Sequence, residues 1–260
     1  MGHALRIGWS VGSSIVADVA TGLMRVILGA LAMNQQDRQP LPGRAGFTLI
    51  ELLVVITIIA ILAGLALAVS GSVRKSADRT KCLANLRNIG HAIGTYAGEN
   101  EGYLPGPLWE SQSCWYNERD TGTLGYYLAG YMGLPIDYEK RRMDVFVCPS
   151  WQRGAPYRND ESFLLNMAVV VNGDTVNPWG DADLSENDAS TDPGSPAVPK
   201  VLARLSDAPL PRIWAMQDLD AQSVVKKKLP GIAPKPVHGD KRNALFFDFH
   251  VESIPLNYQP

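Results

Sequence analysis

Between Phe47 and Val69 the chain runs for 23 residues with one ionisable side chain, Glu51. An apolar helix of about 20 residues, rising about 1.5 Å per residue, crosses a hydrocarbon core roughly 30 Å thick. The run therefore predicts a membrane-spanning helix over residues 47–70, and the rest of the chain has to be arranged around an anchored N-terminal segment. Glu51 narrows the reading further. An ionised group in lipid costs at least about 2.5 kcal/mol and calls for a partner. Either Glu51 sits incidentally near the headgroups of an ordinary single-pass anchor, or it is kept for a pairing role.

The string Gly46-Phe47-Thr48-Leu49-Ile50-Glu51, with the apolar run directly behind it, resembles the class III signal of type IV prepilins and type II secretion pseudopilins. The resemblance implies that prepilin peptidase cuts between Gly46 and Phe47 and methylates the new amine of Phe47. Glu51 is then the fifth residue of the mature chain and the acid used in assembly. A neighbouring subunit's cationic Phe47 amine would neutralise Glu51 as helices pack side by side, so each added helix slides until amine meets acid. The implied partners are prepilin peptidase, other copies and other pseudopilin subunits through their N-terminal helices, and inner-membrane lipid. The implied location is the inner membrane, single pass, with the C-terminal domain extracytoplasmic. Flanking charge points the other way. Arg38 and Arg44 precede the span while Arg74, Lys75, Arg79 and Lys81 follow it, which by the positive-inside rule would hold the bulk of the chain in the cytoplasm. The processing motif is the more specific of the two signals.

Residues 1–46 read as a leader and are set apart from the fold. Residues 33–46 form a polar leader with a basic end by themselves, so Met33 is the expected start. The alternative is an extended leader, whose residues 23–32 are apolar but contain Arg25 and are too short to span a bilayer. Beyond the leader there are 20 basic and 24 acidic residues, with no basic tract that would suggest nucleic acid.

Past the span, Leu83, Leu86, Ile89, Ile93 and Tyr96 recur at three- and four-residue steps, with Ala84 and Ala97 beside them. Arg74, Lys75, Asp78, Arg79, Lys81, Asn85, Arg87, Asn88 and His91 fall mostly elsewhere. This predicts an amphipathic extension of the same helix over residues 71–100, about 78 Å from Phe47 to Gly98 if straight. Gly64 and Gly71 are the expected bend positions, and Gly90 and Gly94 are places where a strand could approach closely. Pro105 and Pro107 prevent the helix from resuming. The segment Cys82-Leu83-Ala84-Asn85-Leu86-Arg87-Asn88-Ile89-Gly90 is also similar to pseudopilin-like proteins that carry a C-terminal processing-associated motif. The fold class implied is α+β and pilin-like, a long N-terminal helix packed on a small antiparallel sheet, with residues 101–260 as the exported, β-rich domain.

Strands are predicted over residues 143–148, closed by Cys148-Pro149-Ser150, and over 163–171 and 212–218. Trp109, Trp115, Tyr116, Tyr126, Tyr127 and Tyr131 are expected to pack beneath loops, with an aromatic cleft as the sharper alternative. Because Cys114 and Cys148 both lie in the part that the resemblance places in an oxidising compartment, they are the expected disulfide. Cys82 is then the spare, or a competing partner for either. Paired-ligand spacing for zinc is absent, and no cofactor is expected. Asp181, Asp183 and Asp188 alternate in a polar loop, and the resemblance allows calcium there. An EF-hand loop, however, would need glycine where Glu186 stands and glutamate where Asp192 stands, so a solvated acidic loop is favoured. Asp218-Leu219-Asp220 is a second, weaker metal candidate. Lys226, Lys227 and Lys228 read as a solvated turn.

His238 precedes Asp248 by nine intervening residues, which resembles the H-X9-DG element of many prepilin-processed proteins, with Phe249 in the glycine position. His238 and Asp248 are expected to brace one another across the motif. Residues 244–247 and 250–254 would be the arms of a hairpin. A two-residue type I′ turn wants positive φ at both positions, which Asp-Phe does not provide, so either the turn is of another type or the arms are one longer strand. The leading function is a structural filament subunit. One alternative is a non-polymerising anchored protein that binds carbohydrate or calcium. Another is a hydrolase using His238 and Asp248, for which no Ser or Cys nucleophile motif is visible.

Overall fold

A computed structural model describes Arg25 and residues 48–154, 161–185, 195, 197–223 and 232–258, with backbone only at 68–70, 184 and 185. The chain divides into two compact units, residues 1–74 and 75–260. One long helix, α1 (Leu49–Glu99), contributes to both. Its end is set by local chemistry. Glu101 and Gly102 take left-handed φ values of 55° and 82°, and the Gly102 N–H returns to the Ala97 carbonyl at 2.8 Å, closing the last turn. Within the first unit, the stretch Leu49–Leu67 is long and apolar enough to cross a membrane. Its large side chains, Leu49, Ile56, Leu62 and Leu67 among them, are exposed.

In the second unit, α1 lies over a five-stranded antiparallel sheet. The strands are β1 (Ser111–Ser113), β4 (Glu161–Leu165), β7 (Trp214–Asp218), β8 (Lys241–Phe246) and β9 (Val251–Pro255), in that spatial order. Two ribbons sit apart from it: β2 (Trp115–Tyr116) with β3 (Arg141–Arg142), and β5 (Val169–Val171) with β6 (Asp174–Val176). The helix buries Cys82, Leu86, Ile89 and Ile93 in one core with Phe163, Leu165, Met216, Leu245 and Phe247. That is the predicted stripe, except that Cys82 takes the fully buried place and Leu83 is half-buried. Of the predicted aromatics, Tyr116 is buried and Trp109 is exposed; the Tyr96 ring meets Tyr127 and Tyr131 edge-on, and Trp179 is buried against Phe247.

Gly90 explains how closely the sheet approaches. A Cβ there would stand 2.7 Å from Leu245 Cδ1 and 3.7 Å from the Phe249 carbonyl oxygen, and one at Gly94 would lie 3.4 Å from the Phe249 ring. The β8–β9 connection is a true hairpin with a three-residue loop. The Phe246 N–H donates to His250 O at 3.0 Å, the Phe249 N–H donates to Phe246 O at 2.9 Å, and Phe249 has φ 69°. This is a type I turn followed by a left-handed residue. The turn is thus of another type than I′, and only one positive φ is needed, at the glycine position that Phe249 occupies.

Two predicted strands are corrected. Residues 143–148 hold a 3-10 turn, Asp144–Phe146, followed by α3 (Pro149–Gly154), with α2 (Leu124–Leu128) preceding them. Proline as the first helical residue favours that outcome, since its fixed φ suits a helix start and its missing N–H has no partner to lose there. Residues 163–171 break between β4 and β5 because Asn166 turns the chain. Its Oδ1 accepts the Ala168 N–H at 3.2 Å while its Nδ2 donates to Trp214 O at 2.9 Å.

Asp220, the weaker metal candidate, is a structural ion-pair partner. Arg242 Nε and Nη2 donate to its two carboxylate oxygens at 2.7 and 3.1 Å, with both residues buried. Asp220→Asn is expected to cost about 3 kcal/mol in urea unfolding, because it strands a buried guanidinium. Replacing both residues with apolar ones should cost much less. An equal loss in the single and double variants would reject that explanation.

Candidate functional site

Gly46 and Phe47, the predicted cleavage and methylation residues, lie outside the described residues. Thr48 is the residue that opens α1, and it forms a reciprocal cap with Glu51. The Thr48 N–H and Oγ1 donate to Glu51 Oε2 at 2.8 and 2.9 Å, and the Glu51 N–H donates to Thr48 Oγ1 at 3.3 Å. Thr-x-x-Glu ahead of an apolar run is a capping box, a signal present in the sequence that the reading of the processing motif passes over. Glu51, the expected assembly acid, therefore has donors from its own chain, in the first turn of the helix, where the dipole also favours a negative charge.

The second constellation lies inside the sheet-bearing unit. The disulfide joins Cys82 to Cys148, with Cα atoms 5.1 Å apart, and not Cys114 to Cys148. Cys114 is buried outside that bond, and its backbone carbonyl is engaged by the Met143 N–H at 2.8 Å. Cys82 is the partner because it falls on the helical stripe with Leu86, Ile89 and Ile93, the face turned to the core. The environment of Cys148 is fixed on both sides: Asn85 Nδ2 donates to Val147 O at 2.9 Å, and the Cys148 N–H donates to Ser162 Oγ at 3.4 Å.

Beside the disulfide sits His238, whose Nε2 is 3.4 Å from Cys148 Sγ and 3.6 Å from Asp218 Oδ2. The His238 side chain is 2% exposed and that of Asp218 3%. Asp218 Oδ2 accepts the Asn243 N–H at 2.6 Å, whereas Asp218 Oδ1 is buried with no hydrogen-bond partner among the described residues. A polar chain leads away from Asn243: Ser253 Oγ donates to Asn243 Oδ1 at 2.6 Å and accepts from Arg79 Nε at 3.1 Å. Asp248 is elsewhere, in the hairpin loop, 2.5 Å from His250 Nδ1. The expected brace between His238 and Asp248 is thus corrected, since the acid beside His238 is Asp218. The same finding removes the hydrolytic couple of His238 with Asp248.

Burial pushes the Asp218 carboxyl up to about 7. Burial, followed by the Arg79 charge, pushes His238 down to about 4. Both shifts favour the uncharged forms, so between about pH 4 and 7 the 3.6 Å contact is a neutral pair rather than an ion pair. Their pH trends oppose one another. The stabilising effect of protonated Asp218 is complete below about pH 3.8 and is lost as pH rises through about 7. That of neutral His238 is complete above about pH 6.5 and is lost as pH falls through about 4. Asp218→Asn is therefore expected to give a domain that loses stability as pH falls from 6.5 to 4. His238→Gln should give one that loses it as pH rises from 4 to 7. Urea midpoints at the two ends of the range test this, and slopes of the same sign in both variants would refute it.

Of the calcium candidates, Asp181 Oδ1 accepts the Asp183 N–H at 3.0 Å at the start of α4 (Ala182–Ser185), and Asp188 lies outside the described residues. The one group of three or more His, Cys, Asp or Glu side chains among the described residues with ligand atoms close enough for a metal is Cys82, Cys148 and His238, within 4.8 Å of one another.

Residues 41–67 match the family model described as the prokaryotic N-terminal methylation motif. No curated protein and no solved structure matches the chain. The matched segment ends at Leu67, the residue at which the apolar span ends. The chain therefore carries a prepilin-type N-terminal methylation motif, and its long N-terminal helix followed by a small antiparallel sheet is an α+β, pilin-like arrangement.

Proposed function

We propose that this protein is a structural subunit of a type II secretion pseudopilus or a type IV pilus-like filament. Prepilin peptidase cuts it between Gly46 and Phe47 and methylates the Phe47 amine. The observation that carries the reading is the methylation motif over residues 41–67 set on a helix whose first turn holds Glu51 and whose next four turns expose apolar side chains. Such a surface is at rest in lipid or against other helices like itself. Within its own chain, the Glu51 carboxylate accepts from Thr48. In a helix bundle, a neighbour's Phe47 amine offers it an opposite charge, which favours one axial register over the others. The sheet-bearing unit is then the part displayed outside the membrane, and the chain performs no chemistry itself.

The test is intact-mass measurement and N-terminal sequencing of the protein from native membranes. The expected result is a chain beginning with N-methylated Phe47. A chain that retains residues before Gly46 would overturn the reading and leave a plain anchored protein. Site-specific cross-linking between neighbouring helices separates the filament from a monomeric binding protein that is cleaved but does not polymerise.

A further inference from the structure

The ribbon of β5 and β6 stands apart from the five-stranded sheet and turns at Asn172-Gly173. Val171 pairs with Asp174, so the loop holds two residues. Their φ values are 53° at Asn172 and 90° at Gly173, both positive, as a type I′ turn requires. Asn172 is the one asparagine in the sequence that is followed by glycine, and both loop residues are exposed. We propose that Asn172 is a site of spontaneous covalent modification, deamidation through a succinimide, and that the change releases the tip of the ribbon.

The reaction needs the backbone nitrogen of the following residue to reach the asparagine side-chain carbonyl carbon. A Cβ on that following residue obstructs the approach, and glycine has none. Nothing lies within 4 Å of the place where a Gly173 Cβ would stand, so the approach is open from the surroundings as well. Among the described residues no hydrogen bond engages the Gly173 N–H, which leaves the nucleophile unheld. The ribbon pairs three residues of each strand and joins no other strand. An isolated hairpin of that size is marginal in water, so its turn has the freedom to rotate into the ring-closing geometry. What holds the tip is a tie from outside the ribbon. Asn172 Nδ2 donates to Asp207 Oδ2 at 2.9 Å, in the segment between the 3-10 turns Leu202–Leu205 and Leu210–Arg212.

Each step balances with water as the only co-reactant. Hydroxide takes the proton from the Gly173 nitrogen, which bonds to Asn172 Cγ. The bond from Cγ to Nδ2 breaks, and the nitrogen leaves as ammonia with a proton taken from water. Water then opens the cyclic imide at one of its two carbonyls. Opening at Cγ leaves an aspartate, and opening at the backbone carbonyl leaves an isoaspartate whose main chain runs through Cβ and Cγ. Either product puts a carboxylate where the Nδ2 donor stood, facing the Asp207 carboxylate. The tie to Asp207 is lost and a like-charge contact replaces it. The step draws on nothing that filament assembly supplies, so it does not rest on the function proposed above.

The experiment incubates the full wild-type chain in detergent micelles at physiological temperature, at neutral and at mildly alkaline pH, and follows it by peptide mapping with mass spectrometry. The expected result is conversion of Asn172 to a mixture of aspartate and isoaspartate, ahead of the other exposed asparagines and faster at the alkaline pH. Asn172→Gln should abolish the signal, because a glutamine side chain would have to close a larger ring. A folded chain that keeps Asn172 intact, while a free peptide of the same sequence converts under the same conditions, would overturn the site. The consequence is read by hydrogen exchange in Asn172→Asp, shown folded by circular dichroism. Loss of a hydrogen bond to a charged group should speed exchange over Val169–Val176 by about tenfold or more, with the five-stranded sheet unchanged. Wild-type exchange over the ribbon in that variant would overturn the release.

Discussion

Glu51→Val and Glu51→Gln are both expected to leave cleavage at Gly46–Phe47 intact and to abolish filament assembly. The two substitutions separate the cap that Glu51 makes from the charge pairing proposed for it. In the structure its carboxylate closes a capping box with Thr48, and glutamine at the same position preserves that box while removing the charge. Valine removes both. Loss of the cap alone costs about 0.5–2 kcal/mol in a helix whose remaining turns are strongly apolar, and a span of this hydropathy tolerates that. Loss of the charge pair removes the register signal at every helix-to-helix contact, where an unpaired ion in lipid costs at least about 2.5 kcal/mol. The charge term therefore wins, and Glu51→Gln should resemble Glu51→Val. Sheared-filament yield, with N-terminal sequencing of the membrane-retained subunit, reads both steps. Wild-type yield from Glu51→Gln would mean that the helix start is what assembly needs, and the pairing mechanism would be abandoned.

How far such features could be read beforehand depended on the sequence distance between the residues involved. The span and the helix behind it were readable because their information is periodic and local: 23 residues with one charge, then Leu86, Ile89 and Ile93 at helical spacing. The capping box was equally local and was open to the same reading. The hairpin arms were visible, but not the three-residue loop, because a left-handed Phe249 is a conformation that sequence preference argues against and that ring packing near Gly94 secures. The buried cluster was out of reach. Its members come from α1, the start of α3, β7 and a loop, with the bonded cysteines 66 positions apart and Cys148 and His238 90 positions apart. No spacing rule spans such distances. Pairing Cys114 with Cys148 rested on shared location, which says nothing of which side chains face each other. The stripe that places Cys82 beside Leu86 was the better guide.

That stripe leads to the largest stability effect expected in the sheet-bearing unit. Cys148→Ser, or Cys82→Ser, should lower its unfolding free energy by about 4 kcal/mol, the chain-entropy value for a cross-link closing a loop of 66 residues. Folded domains hold only about 5–15 kcal/mol in total, so this is a large share, and for a unit of this size it corresponds to a fall in Tm of roughly 8–16 °C. Cys114→Ala removes one buried sulfur from the core and should cost about 1 kcal/mol. The ordering of the three variants is the test, measured by thermal unfolding without reductant and checked by non-reducing peptide mapping. If Cys114→Ala fell as far as Cys148→Ser while Cys82→Ser stayed near wild type, the bond would run from Cys114 to Cys148 and the helix would be held to the sheet by packing alone. If Cys82 and Cys148 fall together, the long helix is covalently fastened to the domain at Cys82, one turn before Leu86. Force carried along the helix of an assembled subunit would then reach the sheet through that bond as well as through the core.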